Sequence, residues 1–440
     1  MRVGCCPKLG AHFPIRVDCM STSTLLLQLI VILACARLCG WLLRWLGQPQ
    51  VVGEMAAGLL LGPAVLGFHA PAWSAQLFSK ELLGGLNALS TLGLVLFMFV
   101  VGLEIRSPGG VRRQLRAAGS VGVLSMAVPA ALAMAIAPLL HPSLAPAGIG
   151  LAPFALFLAA AVSITAFPVM ARILKDRGMT QSPFGQLSLA AAAVVDLFAW
   201  ILLAVVVAMA GAGDGSRGLA TIIGGTVLLL AVLGLVVRPL YARLLAAHAP
   251  EGTPSPAVLA ALIAGLLASA YATERLHLHA VFGAFLFGAC LPRDDRLLKA
   301  LTERVEPLSV VLLMPLFFAL AGLSTTRAAF AGGALGAMAL VIAVAAVGKL
   351  LGGAIGARLS GHGAADSFAV GALMNARGLM ELIVMKVGLD TGLIGVGMFT
   401  ILLVMALVTT AMTSPLITLA LRLRRKTAAG WTAAARRDAC

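Results

Sequence analysis

The sequence predicts an all-α polytopic membrane protein of about thirteen transmembrane helices, built as two six-helix repeats inverted across the bilayer. Three observations carry this expectation. The 440-residue chain is 60% hydrophobic and 11% charged, with a mean hydropathy of +1.02, whereas soluble domains carry roughly 25% charge. Apolar windows recur along its whole length, and a glycine-phenylalanine pattern of the first half returns in the second. The formal charge of +15 does not indicate nucleic acid, because the basic residues are spread over short loops and the tail instead of forming one aromatic-interleaved face. The seven cysteines, Cys5, Cys6, Cys19, Cys35, Cys39, Cys290 and Cys440, show no metal-ligand or redox spacing. No cofactor is expected.

Residues 1–20 read as a polar N-terminal lead-in with Arg2, Lys8 and Arg16, and Met20 is an alternative start. The apolar run after Thr24 imitates a signal-peptide core, but it continues to Trp45 and further spans follow. The transmembrane domain covers 21–423. Its windows fall at about 25–46, 51–67, 84–105, 117–140, 151–174, 184–210, 218–245, 256–275, 279–291, 306–323, 330–358, 366–389 and 394–422. Repeat one occupies about 25–210, a connector helix about 218–245 and repeat two about 256–422; a basic tail, 424–440, follows. The short glycine-bearing windows 51–67 and 279–291 read as tilted or partly re-entrant. One set of loops gathers Arg106, Arg112, Arg113, Arg116, Lys175, Arg177, Arg238, Arg243, Arg293, Arg296, Lys299, Arg304 and the tail cluster Arg422, Arg424, Arg425 and Lys426, against little beyond Lys80, Arg217 and Arg327 in the other set. The positive-inside rule then places the N-terminus outside and the C-terminus in the cytoplasm of a cell membrane.

The repeat is read from two matches in the same order. Gly53 and Gly58, with Pro63 after them, correspond to Gly283 and Gly288, with Pro292 after them. LFMFVVGLE from Leu96 corresponds to LFFALAGLS from Leu316. An odd number of spans separates the equivalents, so the halves are inverted, and such folds place their site where equivalent helices of both halves are interrupted.

The interrupted pair is the fifth and twelfth windows. In SITAFPVMARIL from Ser163, Pro168 lacks a backbone donor and should unwind the segment, exposing carbonyls near Ser163 and Thr165. In MNARGLMELIV from Met374, Asn375, Arg377 and Gly378 form a polar interruption, and Glu381 lies four residues after Arg377, the spacing of a neutralised pair. Asp196 is the lone ionisable residue of its window, roughly 18 Å into a helix rising about 1.5 Å per residue. A carboxylate near the middle of a layer about 30 Å thick needs a partner, a proton or a cation. Lys349 is also near midplane and is the natural counter-charge, either as structural support or as a proton carrier released when a cation reaches Asp196. The hydroxyls of Ser163 and Thr165 suit an alkali cation or cap the unwound turn. Glu54 faces either a cavity or a packing seam, and Glu104, beside Arg106, reads as an interface residue. Gly352, Gly353 and Gly356 read as close-packing positions, and His277 and His279 have no metal-site pattern.

At these residues the chain resembles the monovalent cation:proton antiporter-2 family, within the sodium/proton antiporter fold. The matching pieces are Gln48-Pro49 through Val52-Gly53-Glu54, LGLVLFMFVVGLE from Leu92, SITAFPVMARIL, Asp196, the Lys349 window, MNARGLMELIV and Ala406-Leu407-Val408-Thr409-Thr410. The resemblance implies crossed broken helices, a homodimer with an elevator-like core, and Asp196 as the ion-binding carboxylate with Thr165 in the crossed region. Many relatives carry Asp, Asn or Gln immediately before that aspartate; here it is Val195. The chain ends without the cytosolic nucleotide-binding domain of the potassium-efflux branch, so regulation by such a domain in cis is not expected.

The function expected is therefore non-enzymatic: exchange of Na⁺ or K⁺ for H⁺, electroneutral because Val195 leaves one titrating acid at midplane. The transported partners are monovalent cations and protons, with the lipid bilayer as surroundings and no nucleic acid. The competing expectation is a sodium-coupled symporter of an organic anion on a related crossed-helix fold, which would need a roomier, more polar cavity. A sensor or channel would need a signalling domain or an open polar stripe, neither of which is evident.

Overall fold

Helices fall on the apolar windows of the sequence. A computed structural model describes residues 15–78, 83–104, 112–210, 215–248, 254–276, 280–292 and 294–437. The first half comprises α1 (Ile15–Trp45), α2 (Gln50–Leu61), the short α3 (Leu66–His69) and α4 (Pro71–Leu77), α5 (Leu83–Glu104), α6 (Arg112–Leu144), α7 (Leu151–Ser163), α8 (Phe167–Asp176) and α9 (Pro183–Ala210). The connector is α10 (Gly215–Val232) and α11 (Arg238–His248), joined by a π turn at Leu233–Val237. The second half comprises α12 (Pro256–Arg275), α13 (Ala280–Cys290), α14 (Asp295–Glu306), a π turn at Pro307–Leu313, α15 (Met314–Leu323), α16 (Gly333–Leu359), α17 (Ala364–Met374), α18 (Leu379–Asp390) and α19 (Val396–Arg437). Among the described residues, nine helical spans are long and apolar enough to cross a membrane. Leu151–Ser163 and Ala364–Met374 are shorter apolar helices, so the fifth and twelfth windows are each a pair of half-helices.

Two boundaries differ from the sequence reading. Helix α1 begins at Ile15, inside the stretch read as a polar lead-in, and α19 runs on to Arg437 through the basic tail. The tail is rich in alanine and arginine, both strong helix formers, and no proline follows Pro415 to stop it. Lys80, Arg106, Arg293, His277 and His279 lie outside the described residues, as do the side chains of Glu104, Arg112, Arg113, Pro168, Lys175, Asp196, Arg217, Arg425 and Lys426.

The repeated glycines explain how the halves interlock. Gly58 of α2 lies against the Phe318 carbonyl of α15, and Gly322 of α15 lies against the Gly58 carbonyl. The equivalent pair is formed by α5 and α13: Gly102 meets the Phe285 carbonyl and Gly288 meets the Phe99 carbonyl. Each half thus packs its second helix on the third helix of the other half, as two inverted copies require. Side chains at these positions would hold the backbones apart, and the dispersion contacts of close helix packing would be lost. Gly352 and Gly356 serve the same purpose between α16 and α6, and Gly353 faces Gly371 of α17. Gly322→Ala is expected to cost ~1–3 kcal/mol through overpacking, read as a lower melting temperature of the detergent-solubilised protein; unchanged melting would show that the seam has slack.

Each π turn has a proline at or near it, Pro239 two residues past the first and Pro307 opening the second, and the missing N–H and ring clash of proline disrupt the regular ladder. Carbonyls in these turns find other donors. The Cys290 thiol donates to the Leu233 carbonyl at 2.8 Å, and Arg37 of α1 donates through Nη2 to the Val311 carbonyl at 3.0 Å.

Candidate functional site

Two chain breaks meet in the interior. The first, residues 164–166, separates α7 from α8; the second, residues 375–378, separates α17 from α18. The Ala166 N–H donates to the Ala376 carbonyl at 3.0 Å, and the Thr165 hydroxyl donates to the Met374 carbonyl at 3.1 Å. The broken segments therefore satisfy each other, as non-helical backbone must when no water is at hand. Pro168 does not sit in the break. It occupies the first turn of α8, where the missing donor would be unused anyway, so the unwinding lies just before it.

The end of α7 is held by two cationic side chains. Lys349 of α16 donates through Nζ to the Ser163 carbonyl and, at 2.5 Å, to Thr165 Oγ1. Arg377 donates through Nη1 to the Ala161 carbonyl at 3.2 Å and through Nη2 to the Val162 carbonyl at 2.6 Å. Carbonyls at a helix C-terminus carry the negative end of its dipole, so two cations there are favourably placed. Arg377 also pairs with Glu381 Oε1 at 2.8 Å, both side chains being fully buried. Glu381 lies in the first turn of α18, the end that favours an acid. The backbone of Arg377 is fixed by Thr410 of α19, whose hydroxyl accepts from its N–H at 2.9 Å and donates to its carbonyl at 3.0 Å.

The structure thus brings together Ser163, Thr165, Lys349, Asn375, Arg377 and Glu381, all 1% exposed or less. Asn375 donates through Nδ2 to the Ala346 carbonyl at 3.4 Å, about one turn before Lys349. Ser163 Oγ, Asn375 Oδ1 and Glu381 Oε2 are buried acceptors without a hydrogen-bond partner among the described residues, the chemistry a cation or a proton would satisfy. Gly378 lies against Val169 of α8, whose Cγ2 is 2.7 Å from where a β-carbon would stand. Helix α9, which carries Asp196 next to the fully buried Val195, packs against all four half-helices, α7, α8, α17 and α18. Glu54 lies apart from this group. It is 2% exposed and lines a cavity of about 270 Å³ between α2, α5, α8 and α15.

Sequence reasoning assigned no role to Thr410, Arg37, Arg172 or Gln50. Arg172 of α8 donates to the Gln50 side chain of α2 at 3.0 Å. The available signals were Thr409-Thr410 within an apolar window and two arginines, Arg37 and Arg172, inside apolar spans.

Inverted halves interlocked through paired glycines, with their broken helices crossing at the centre, define a membrane transporter of the inverted-repeat class. Residues 30–422 match the family described as sodium/hydrogen exchanger, transmembrane. The chain belongs to this family. It is 38% identical over 403 residues to the Na⁺/H⁺ antiporter NhaS4 of Synechocystis sp., covering 90% of this chain and 98% of that protein. It is 38% identical over 396 residues to cation/H⁺ antiporter 17 of Arabidopsis thaliana, and 31% identical over 412 residues to K⁺/H⁺ antiporter 1 of Saccharomyces cerevisiae. These alignments cover 89% and 92% of this chain, but it spans about half the length of those two relatives, 48% and 47%. The solved sodium proton antiporter MjNhaP1 of Methanocaldococcus jannaschii has the same fold, with a TM-score of 0.64 over 92% of this chain and 99% of that chain, at 16% identity.

Proposed function

We propose that this chain is a secondary antiporter exchanging Na⁺ or K⁺ for H⁺, with Asp196 as the carboxylate that takes cation and proton alternately. The observation that carries the reading is the crossing of the two broken segments, with α9 packed against all four half-helices. Lys349 and Arg377 neutralise the end of α7, whereas the first turn of α8 has no acid of its own, and a carboxylate from α9 would balance that positive end. Ser163 and Thr165 supply oxygens near the cation's path, while Asn375, Gly378 and the Arg377–Glu381 pair keep the second break in shape. Pro168 sits in the first turn of the half-helix that follows the first break. A relative named for Na⁺ and another named for K⁺ support a monovalent cation without choosing between them. The charge bias of the loops supports a cell-membrane protein with the N-terminus outside and the C-terminus cytoplasmic, working as a homodimer in an elevator-like cycle. The reading is tested in proteoliposomes loaded with a pH dye: Na⁺ or K⁺, but not choline, should drive proton movement, and no response to any alkali cation would overturn it.

Exchange is expected to be electroneutral. Asp196 is the one acid read at midplane in its window, since the residue before it, Val195, cannot titrate. Whether Lys349 loses its proton when the cation binds or stays charged with a protonated aspartate returning, one positive charge moves each way. A net charge would couple the rate to voltage at about 2.3 kcal/mol per 100 mV. Sodium-driven exchange that accelerates or slows strongly under an imposed potential would refute one-for-one stoichiometry.

A further inference from the structure

The cavity beside Glu54 does not belong to the crossing itself, yet it ends against it. Val169 lines its wall and also abuts Gly378 of the second break. Most of the lining is apolar, from residues such as Phe97, Val101 and Phe318; the charged members are Glu54, Arg172, Asp176 and Glu306. Three carboxylates line the space against Arg172, with Arg37 also close enough to act on Glu54, so the acids outnumber the bases by one and the balance favours a cation.

Glu54 is the deepest buried of the three. Its Oε1 has no hydrogen-bond partner among the described residues, and the residue is 2% exposed. A bare carboxylate in such a place is costly unless something positive comes to it. The neighbours that act on it are Arg172, Arg37 and Gln50. Each arginine also holds a second group, Arg172 the Gln50 side chain at 3.0 Å and Arg37 the Val311 carbonyl at 3.0 Å. Their charge reaches Glu54, but a coordination position on the carboxylate is left open.

We propose that Glu54 is a second cation-coordinating carboxylate, which holds the transported monovalent ion at the inner end of this cavity before it passes to the crossed helices. A hard alkali ion prefers such an oxygen. Arg172 is its fixed-charge competitor: a cation on Glu54 replaces part of the arginine's attraction, while Arg172 also donates to the Gln50 side chain. Because Arg172 is on α8, occupancy of Glu54 is felt by the half-helix that leaves the first break. The proposal rests on the antiport reading for the identity of the ion, though not for the existence of the site.

Two measurements separate those claims. In proteoliposomes, Glu54→Gln should raise the half-saturating Na⁺ or K⁺ concentration about tenfold, equivalent to ~1.4 kcal/mol, with a maximal rate near that of the wild type. Arg172→Gln should lower it, since the competitor is gone. Unchanged half-saturation in Glu54→Gln, or an increase in Arg172→Gln, would overturn the proposal. Independently of transport, the purified full-length Asp196→Asn protein should still bind ²²Na⁺ or ⁸⁶Rb⁺ in a scintillation assay, and adding Glu54→Gln should remove that binding. Equal binding by the single and double variants would overturn the second site. If the wild type shows no exchange, the antiport reading falls while these binding results still decide on Glu54.

Discussion

Replacing Asp196 by asparagine is expected to reduce cation-driven proton flux to that of protein-free liposomes while leaving yield and thermal stability near those of the wild type. The amide has nearly the same shape, so the packing of α9 against the half-helices should survive. What it loses is chemical. An amide takes no proton at ordinary pH and offers a cation no negative charge, so neither limb of the exchange has a carrier. A carboxylate costs about 2.5–3.5 kcal/mol at the centre of a membrane on insertion scales, and an amide has no charge to bury there, which argues against a loss of folding. Proton flux in the variant that still rises with added Na⁺ or K⁺ would move the exchange site away from Asp196.

The second large effect concerns Arg377, where the expected loss is structural. Arg377→Ala removes the partner of a fully buried Glu381 carboxylate, a change that costs ~3–5 kcal/mol in buried pairs. It also strips a donor from each of the Ala161 and Val162 carbonyls, each lost donor adding roughly 1–3 kcal/mol where nothing replaces it. The variant is expected to accumulate poorly and to aggregate when solubilised. Arg377→Lys should recover little, because an ammonium cannot reach two carbonyls and a carboxylate as the planar fork does. The double variant Arg377→Leu with Glu381→Leu should be more stable than Arg377→Ala, since no uncompensated charge is left. A melting temperature for Arg377→Ala equal to that of the wild type would show that the pair has no structural role.

Much of this arrangement was legible in the sequence because the bilayer imposes simple rules. Apolar windows had to be helices, and matching glycines at matching offsets had to mean matching backbone contacts; Gly58, Gly102, Gly288 and Gly322 are in such contacts. The Arg377–Glu381 spacing was readable too, although Arg377 lies in the break and not on the helix that follows. Other features depended on distant chain and left no local mark. Nothing around Arg377 announces that its guanidinium crosses to Ala161 and Val162, and nothing around Lys349 announces the carbonyl of Ser163. Proline was a misleading signpost: Pro168 suggested where the helix fails, whereas the failure is in the residues before it and the proline lies in the first turn of the next segment. Arg37 shows the same limit from another direction. An arginine inside an apolar span invites a functional reading, but its partner is a carbonyl in a π turn of the other half, which no inspection of its own window could reveal.

The glycine seams have a bearing on how the chain is made. During synthesis the first half emerges before α13 and α15 exist, so α2 and α5 enter the membrane with bare glycine tracks and no mate. Neither half is a finished unit; each lends its second and third helices to its twin. The early half must therefore wait, exposed to lipid and to chaperones, and the late half completes both seams as it arrives. Assembly in this architecture is a closing step between two incomplete halves, and the interval that leaves both glycine tracks uncovered is the one in which only the first has been translated.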